Sequence, residues 1–273
     1  MTDIADAARI TRLGLALNLR DAAVQPVLAA VAASKSADVL VGASAHGRRL
    51  DIVMPFHPDA LAAVSTSTVT PSAQSKLRLR VDGDRVAAAI TTPGAIEPAA
   101  AVAELSPEPF REAWLDLVEQ FCSVAGGRII ARTRFVDEPR GAIEIRYGAR
   151  PRAADLELAM AIDQLAGDID VSAAQRRLWM RIHPDLGLGR EIAVTTGMAV
   201  GGVSSHLGIT YPITDWSLAV RVARGLTLDD GEAAKVPRQL GELAGILDSE
   251  RLTSLELVLG PNEPPDLLLW TKL

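Results

Sequence analysis

Apolar and polar residues alternate one for one along several short runs of this chain, and basic residues fill many of the polar places. Leu77, Leu79 and Val81 alternate with Lys76, Arg78 and Arg80. Further on, Arg128, Arg132 and Arg134 share one parity with Ile130, while Ile129, Ala131, Thr133 and Phe135 take the other. Successive strand side chains point to opposite faces, so each run predicts a strand that is basic on one face and apolar on the other.

Between these runs the apolar spacing becomes helical. It predicts helices over about 4–17 and 21–33, strands over 37–42 and 50–54, and a short helix over 60–64. Asp82-Gly83-Asp84 joins 77–81 to 85–90 as a tight hairpin. A loop rich in Pro and Ala over 91–107 leads to a helix over about 108–124, ended by Gly126-Gly127. A third hairpin joins 128–135 to 142–147, and a helix follows over 153–165. The stretch 172–182 reads two ways. Ser172 and Gln175 resemble a capping box, whereas Leu178, Met180 and Ile182 alternate with Arg177, Trp179 and Arg181 as in a strand. Strands are predicted over 192–198 and 216–222, with the glycine-rich piece 197–202 between them. A helix over 235–247 and strands over 252–259 and 267–271, about the turn 260–265, complete the chain.

Strand pairs separated by helices do not match a doubly wound parallel sheet, in which single strands alternate with helices. They predict one α/β (α+β) domain over 1–273: an antiparallel sheet of about ten strands with helices over one face, enough to close into a barrel and lose its edges. In a barrel wrapped by helices the apolar strand faces point outward. The inward set on this parity is Arg49, Asp51, Lys76, Arg78, Arg80, Arg128, Arg132, Arg134, Glu144, Arg146, Ser254 and Glu256. An open sheet would leave the same face in water, and parity alone admits both. Converging guanidinium groups suit a phosphate or diphosphate, because the planar fork pairs with two oxyanion oxygens. Asp51 and Glu144 then serve to orient a substrate hydroxyl or to hold a magnesium ion.

Charge narrows the field. A net charge of −6 and a pI near 5.3 argue against groove binding to nucleic acid, and favour a small anion as the target of the local basic clusters. Cys122 is the only cysteine, so neither an internal disulfide nor a cysteine zinc cage forms. The acidic start at Asp3 and Asp6 lacks the basic residues of a secretory signal, and the most apolar run, 192–203, is too short to span a bilayer, so a cytoplasmic location is expected. His57-Pro58-Asp59 and His183-Pro184-Asp185 are common loop strings without helical metal-ligand spacing. Ser204, His206 and Asp215 lack a nucleophile elbow, and Gly197, Gly201 and Gly202 lack a phosphate-loop lysine.

With these elements in place the chain resembles the aromatic prenyltransferases of the ABBA fold, in which αββα units close a ten-stranded antiparallel barrel around the active site. Arg49-Leu50-Asp51-Ile52 is similar to that family's Glu-Leu-Asp-Phe string, and Asp51 falls on its aspartate. Val81-Asp82-Gly83-Asp84 looks like the family's Asp-Gly-Glu turn. Arg140, Glu144 and Arg146 fall where the family carries an inward Lys, Asn and Tyr, and either His183-Pro184 or Tyr211-Pro212 matches its Tyr-Pro string. Two departures stand out. Ala87, Ala88 and Ala89 occupy the region of an expected lysine, and the chain has only two tyrosines against the family's several.

The resemblance implies transfer of a prenyl group from an allylic diphosphate to a small aromatic acceptor. Asp51 and Glu144 would be catalytic, with Asp51 also a ligand for Mg2+. Arg49, Arg78, Arg80, Arg132, Arg134 and Arg146 would bind diphosphate. Trp179, His183, Tyr211, Glu256 and Trp270 would line the substrate site, the tryptophans standing in part for missing tyrosines, since aromatic faces stabilise cations. Two alternatives stay open: the same barrel acting as a cyclase, an isomerase or a hydrophobic-metabolite binder, and a non-catalytic scaffold with an exposed basic sheet face.

Overall fold

Asp82 and Arg85 face each other across a two-residue turn in which Gly83 takes φ 61°, a left-handed conformation that glycine adopts without strain. The strands on either side pair without a break from Lys76↔Thr91 to Asp82↔Arg85. The rest of the sheet repeats this antiparallel pairing. The computed structural model describes residues 4–46, 49–69, 71–72, 74–105, 111–138, 141–187, 189–198, 204–226, 230–247, 252–261 and 265–273.

Helices α1 (Ile4–Ala16) and α2 (Asp21–Ser34) precede strands β1 (Leu40–Ser44) and β2 (Arg49–Pro55). Helix α3 (Pro58–Ala62) leads to β3 (Lys76–Asp82) and β4 (Arg85–Pro93), then α4 (Pro98–Leu105) and α5 (Arg111–Ser123). Strands β5 (Arg128–Phe135) and β6 (Gly141–Tyr147) precede α6 (Arg152–Asp168) and α7 (Ala173–Leu186). Strands β7 (Ile192–Met198) and β8 (Ser204–Tyr211), helices α8 (Trp216–Leu226) and α9 (Asp230–Leu247), and strands β9 (Leu252–Leu259) and β10 (Asp266–Lys272) follow. Each strand pairs with its neighbours in sequence, and β1 pairs with β10, closing a ten-stranded antiparallel barrel. Closure leaves no sheet edge to template aggregation.

The core is a sleeve between the barrel and the helices. Outward residues such as Leu50, Ile52, Leu77, Leu79, Ile143 and Ile145 are fully buried, packed with Ile10, Leu13, Trp114, Phe121 and Leu158 from the helices. The opposite parity faces the lumen. The open-sheet alternative, with Arg78 and Arg80 on an exposed outer face, is thereby set aside.

Three expectations need correction, and the open choice over 172–182 is settled. Residues 173–186 are helix α7, whose buried positions Gln175, Leu178, Trp179, Ile182, His183 and Leu186 recur at helical spacing. Its start is fixed where Ser172 Oγ accepts from the Gln175 N–H at 3.3 Å. Residues 216–226 are likewise helical rather than a strand, with Leu218, Ala219, Val222, Ala223 and Leu226 buried. Short apolar runs carry both periods, and burial on one side selects the helix. The partner of β7 is instead β8, and α4 occupies part of the expected loop 91–107. Arg140, Gly201 and Gly202 lie outside the described residues.

Candidate functional site

The lumen is built from one residue in two on each strand. Strand β2 contributes Arg49 and Asp51, which sit opposite Asp82 and Arg80 of β3; Arg78 lies two residues further along β3. The Asp51 side chain is completely buried. Arg49 Nε donates to its Oδ2 at 2.6 Å, while Arg78 Nε and Arg80 Nε both donate to Oδ1, at 3.2 and 3.3 Å. Burial alone would raise the Asp51 pKa, but the three guanidinium groups outweigh it and hold the carboxyl far below the usual carboxylate range.

The three guanidinium groups are not compensated equally. Burial and repulsion from Arg49 push Arg80 down to about 10, so it stays protonated at neutral pH with its charge incompletely compensated. Arg78 does better: although burial opposes it, Asp51 and Glu256 raise its pKa. Its Nη2 lies 3.6 Å from Glu256 Oε2, too long for a hydrogen bond. Arg49 Nη2 and Arg78 Nη2 are buried with no hydrogen-bond acceptor among the described residues. Unmade bonds of buried charged donors are expensive, so an oxyanion in the lumen would be welcome.

Glu256 of β9 and Trp270 of β10 form the adjoining wall. The Trp270 indole N–H donates to Glu256 Oε2 at 2.9 Å, and Arg78 Cζ stands 5.2 Å from the indole ring centre. Two glycines make room for the pair. A Cβ on Gly42 would lie 2.9 Å from the Trp270 ring, and one on Gly208 would lie 2.9 Å from Glu256 Oε1. Gly42→Ala should therefore lower stability by about 1–3 kcal/mol, as overpacking does. Thermal unfolding checks this, and an unchanged melting temperature would mean that the indole is not wedged against β1.

Glu144 of β6 faces the same space. Burial and the nearby Glu256 charge raise its pKa, against opposition from Arg78, Arg146 and Lys76. Phe135 adds a second aromatic ring, 5.9 Å from Arg80 Cζ. Sequence reading did not single out Phe135, Gly42 or Gly208 as site residues. The parity of β5, read from Phe135 backwards, was the available signal for the first.

Several expected site residues lie elsewhere. Arg132 and Arg134 pair with Thr92 and Ile90, on the parity that faces outward, while Thr133 and Phe135 face the lumen. The reason is a bulge between Ile129 and Ala131, which inserts one residue and reverses the parity of everything after it. Arg146 shares the parity of Glu144 but sits at the rim, half exposed, with Nε 3.2 Å from Glu191 Oε1. Trp179 and His183 of α7 and Tyr211 of β8 meet outside the lumen, in the layer between strands and helices. Trp179 Nε1 donates to the Tyr211 hydroxyl at 2.9 Å, His183 Nδ1 lies 3.1 Å from that hydroxyl, and His183 Nε2 lies 3.3 Å from Asp155 Oδ2. Arg150 completes the network at 2.7 Å from Asp155 Oδ1. Tyr211 follows Leu207 and Ile209 in parity, which is why it points into the helical layer.

The donor set does not fit magnesium. Both Asp51 oxygens are engaged by guanidinium N–H groups, and three positive charges stand where a divalent cation would have to sit. Among the described residues no group of three or more His, Cys, Asp and Glu is arranged to hold a metal ion. Nor is any described helix long and apolar enough to cross a membrane.

No protein-family model matches the chain, and no curated protein matches it in sequence. Solved structures do match. The chain is similar to 5-dimethylallyl tryptophan synthase from Streptomyces coelicolor in complex with DMASPP and Trp, with 14% identity, a TM-score of 0.64 and coverage of 98% of this chain and 93% of that one. It is similar to 6-dimethylallyltryptophan synthase from Micromonospora olivasterospora in complex with DMASPP and Trp, with 12% identity, a TM-score of 0.61 and coverage of 100% and 97%. It also matches prenyltransferase PriB in its ternary complex with L-tryptophan and dimethylallyl thiolodiphosphate, with 14% identity, a TM-score of 0.54 and coverage of 98% and 95%.

Proposed function

On the premise that this chain carries the αββα-barrel fold of the aromatic prenyltransferases, we propose that its lumen binds an allylic diphosphate and transfers the prenyl group to a small aromatic acceptor. The observation that carries this reading is the pair of unmade bonds beside Asp51: Arg49 Nη2 and Arg78 Nη2 are buried in the lumen with no hydrogen-bond acceptor among the described residues, although Asp51 holds all three guanidinium groups in place.

In this reading the arginines hold the diphosphate. The carbon–oxygen bond to the allyl group breaks with its electron pair leaving on the diphosphate, and the guanidinium charges stabilise that departing anion. The allyl cation is shielded by the faces of Trp270 and Phe135. A ring carbon of the acceptor forms the new bond to it, and Glu144 accepts the proton that the ring then loses. The Asp51 carboxylate orients the arginines and takes no proton.

Calorimetry with dimethylallyl diphosphate tests the binding step directly. Arg78→Ala should weaken affinity by ~10-fold or more, the scale of a lost charge-assisted hydrogen bond. Wild-type affinity in that variant would sink the reading.

One observation favours a second reading, in which the lumen binds an anionic or hydrophobic metabolite without transfer. Both tyrosines are outside it: Tyr147 donates to the Phe121 carbonyl at 2.7 Å, and Tyr211 joins the outer network. Diphosphate release in the presence of aromatic acceptors separates the two. Binding without release would favour the second.

A further inference from the structure

Outward positions of the barrel are uncharged wherever helices cover them, as at Leu77, Leu79, Val81, Ile90, Ile143 and Ile145. The far half of β5 is the exception. Its bulge turns Arg132 and Arg134 onto the outer face, where they line a cleft of about 600 Å³ with β4, β5, α4 and Ser67, Thr68, Val69, Pro71 and Ser72. That volume falls within the range of small-molecule sites.

The cleft is held in shape. Ser65 and Ser67 both donate to Asp137 Oδ1, at 2.9 and 2.8 Å, which ties its outer lip to the end of β5. On the floor, Ser75 Oγ bridges Ser72 and Thr92, at 3.0 and 3.3 Å. Val69, Pro71, Leu105 and Val136 supply an apolar wall. Arg132 engages Glu104 through its Nε. Arg134 is exposed and has no acidic partner among the described residues. With Glu104 engaged by Arg132 and the Asp137 carboxylate at the lip taken up by two serine hydroxyls, the Arg134 guanidinium stands beside the apolar wall without a salt-bridge partner among the described residues.

We propose that this cleft is a second binding site, separate from the lumen, for an amphiphilic monoanion: one acidic headgroup on a compact apolar body. Arg134 receives the headgroup, with Arg132 fixed beside it by Glu104, and the apolar body lies along Val69, Leu105 and Val136. The bulge is the device that makes the site. Without it the two arginines would add to the lumen and the outer face would be continuous with the core. The proposal is independent of prenyl transfer, because it uses none of the lumen residues.

Calorimetric titration of the full chain with octanoate and with octyl sulfate, both monoanions at neutral pH, tests it, the stronger of the two identifying the headgroup. Saturable binding of at least one is expected. Arg134→Ala should weaken it by ~10-fold or more, as for a lost charged contact, and Val69→Asp should abolish it by repelling the ligand. Arg78→Ala should leave it unchanged, and Arg134→Ala should leave any transferase turnover unchanged. Absence of saturable binding by both probes overturns the proposal. So does binding that Arg78→Ala weakens and Arg134→Ala spares, which would put the probe in the barrel.

Discussion

Asp51→Asn should lower the melting temperature by roughly 10 °C, the effect of about 3–5 kcal/mol on a chain of this size. The residue looks dispensable as a lone acid among basic neighbours, yet it is the only group that contacts all three lumen arginines of β2 and β3. Its depressed pKa gives the sign of the pH effect. A carboxyl held lower in the folded than in the unfolded state adds stability above its unfolded value of about 4. That stability is lost as pH falls through the folded value. The wild-type contribution is therefore intact from about pH 5 to 8, and asparagine removes it throughout that window. Three buried guanidinium groups would then repel one another, with Glu256 near Arg78 as the remaining counter-ion. Arg80, the least compensated of them, is the informative second site. Adding Arg80→Met should recover part of the loss, because coupled charges do not act additively. Differential scanning calorimetry of the single and double variants measures both effects. If Asp51→Asn melted within a degree or two of wild type, the cluster would be hydrated and the buried ion pairs would have little weight.

Strand β3 shows what the sequence could reveal. Lys76, Arg78 and Arg80 alternate with Leu77, Leu79 and Val81 without interruption, and both registers around β3 are unbroken, so parity put Arg78 and Arg80 on one face, which barrel closure makes the lumen. The same reasoning failed on β5 because one inserted residue there reverses the pattern, and no residue type marks a bulge of that kind at Ile130. The number of strands came out right even though one was misplaced, since a helix at 216–226 was exchanged for β8. Alternation of His206, Gly208 and Thr210 with Leu207, Ile209 and Tyr211 was present in the sequence, but the neighbouring glycines masked it. The burial of Asp51 was beyond reach. Nothing in Arg-Leu-Asp-Ile announces that three arginines from two strands will share one carboxylate.

The lumen's electrostatics set Glu144 apart from Asp51. Asp51 is surrounded by cations and is fixed in its ionised form, so it is suited to position arginines and unsuited to exchange protons. Glu144 stands in the reverse situation, desolvated and beside another carboxylate, which moves it toward a pKa at which proton transfer is efficient. Environments that push two carboxyls apart in this way distinguish a structural anion from a candidate base.

Glu144→Gln should accordingly reduce prenyl-transfer turnover by ~10²–10⁴-fold, the usual worth of a general base, with little change in diphosphate affinity. The pH dependence makes the test specific. Glu144 accepts a proton only when ionised, so wild-type turnover should fall as pH drops through its raised pKa, at a pH above the ordinary value of 4.5. Burial is the first cause of that elevation and the Glu256 charge the second. Glu256→Gln removes the charge while its amide oxygen can still accept the Trp270 indole N–H. It should therefore move the acid limb to lower pH without opening the wall of the lumen. Pre-steady-state turnover from about pH 4.5 to 8 in the three proteins decides the matter. An acid limb that stays in place in Glu256→Gln, or a Glu144→Gln enzyme that turns over at the wild-type rate, would assign the proton to a different acceptor.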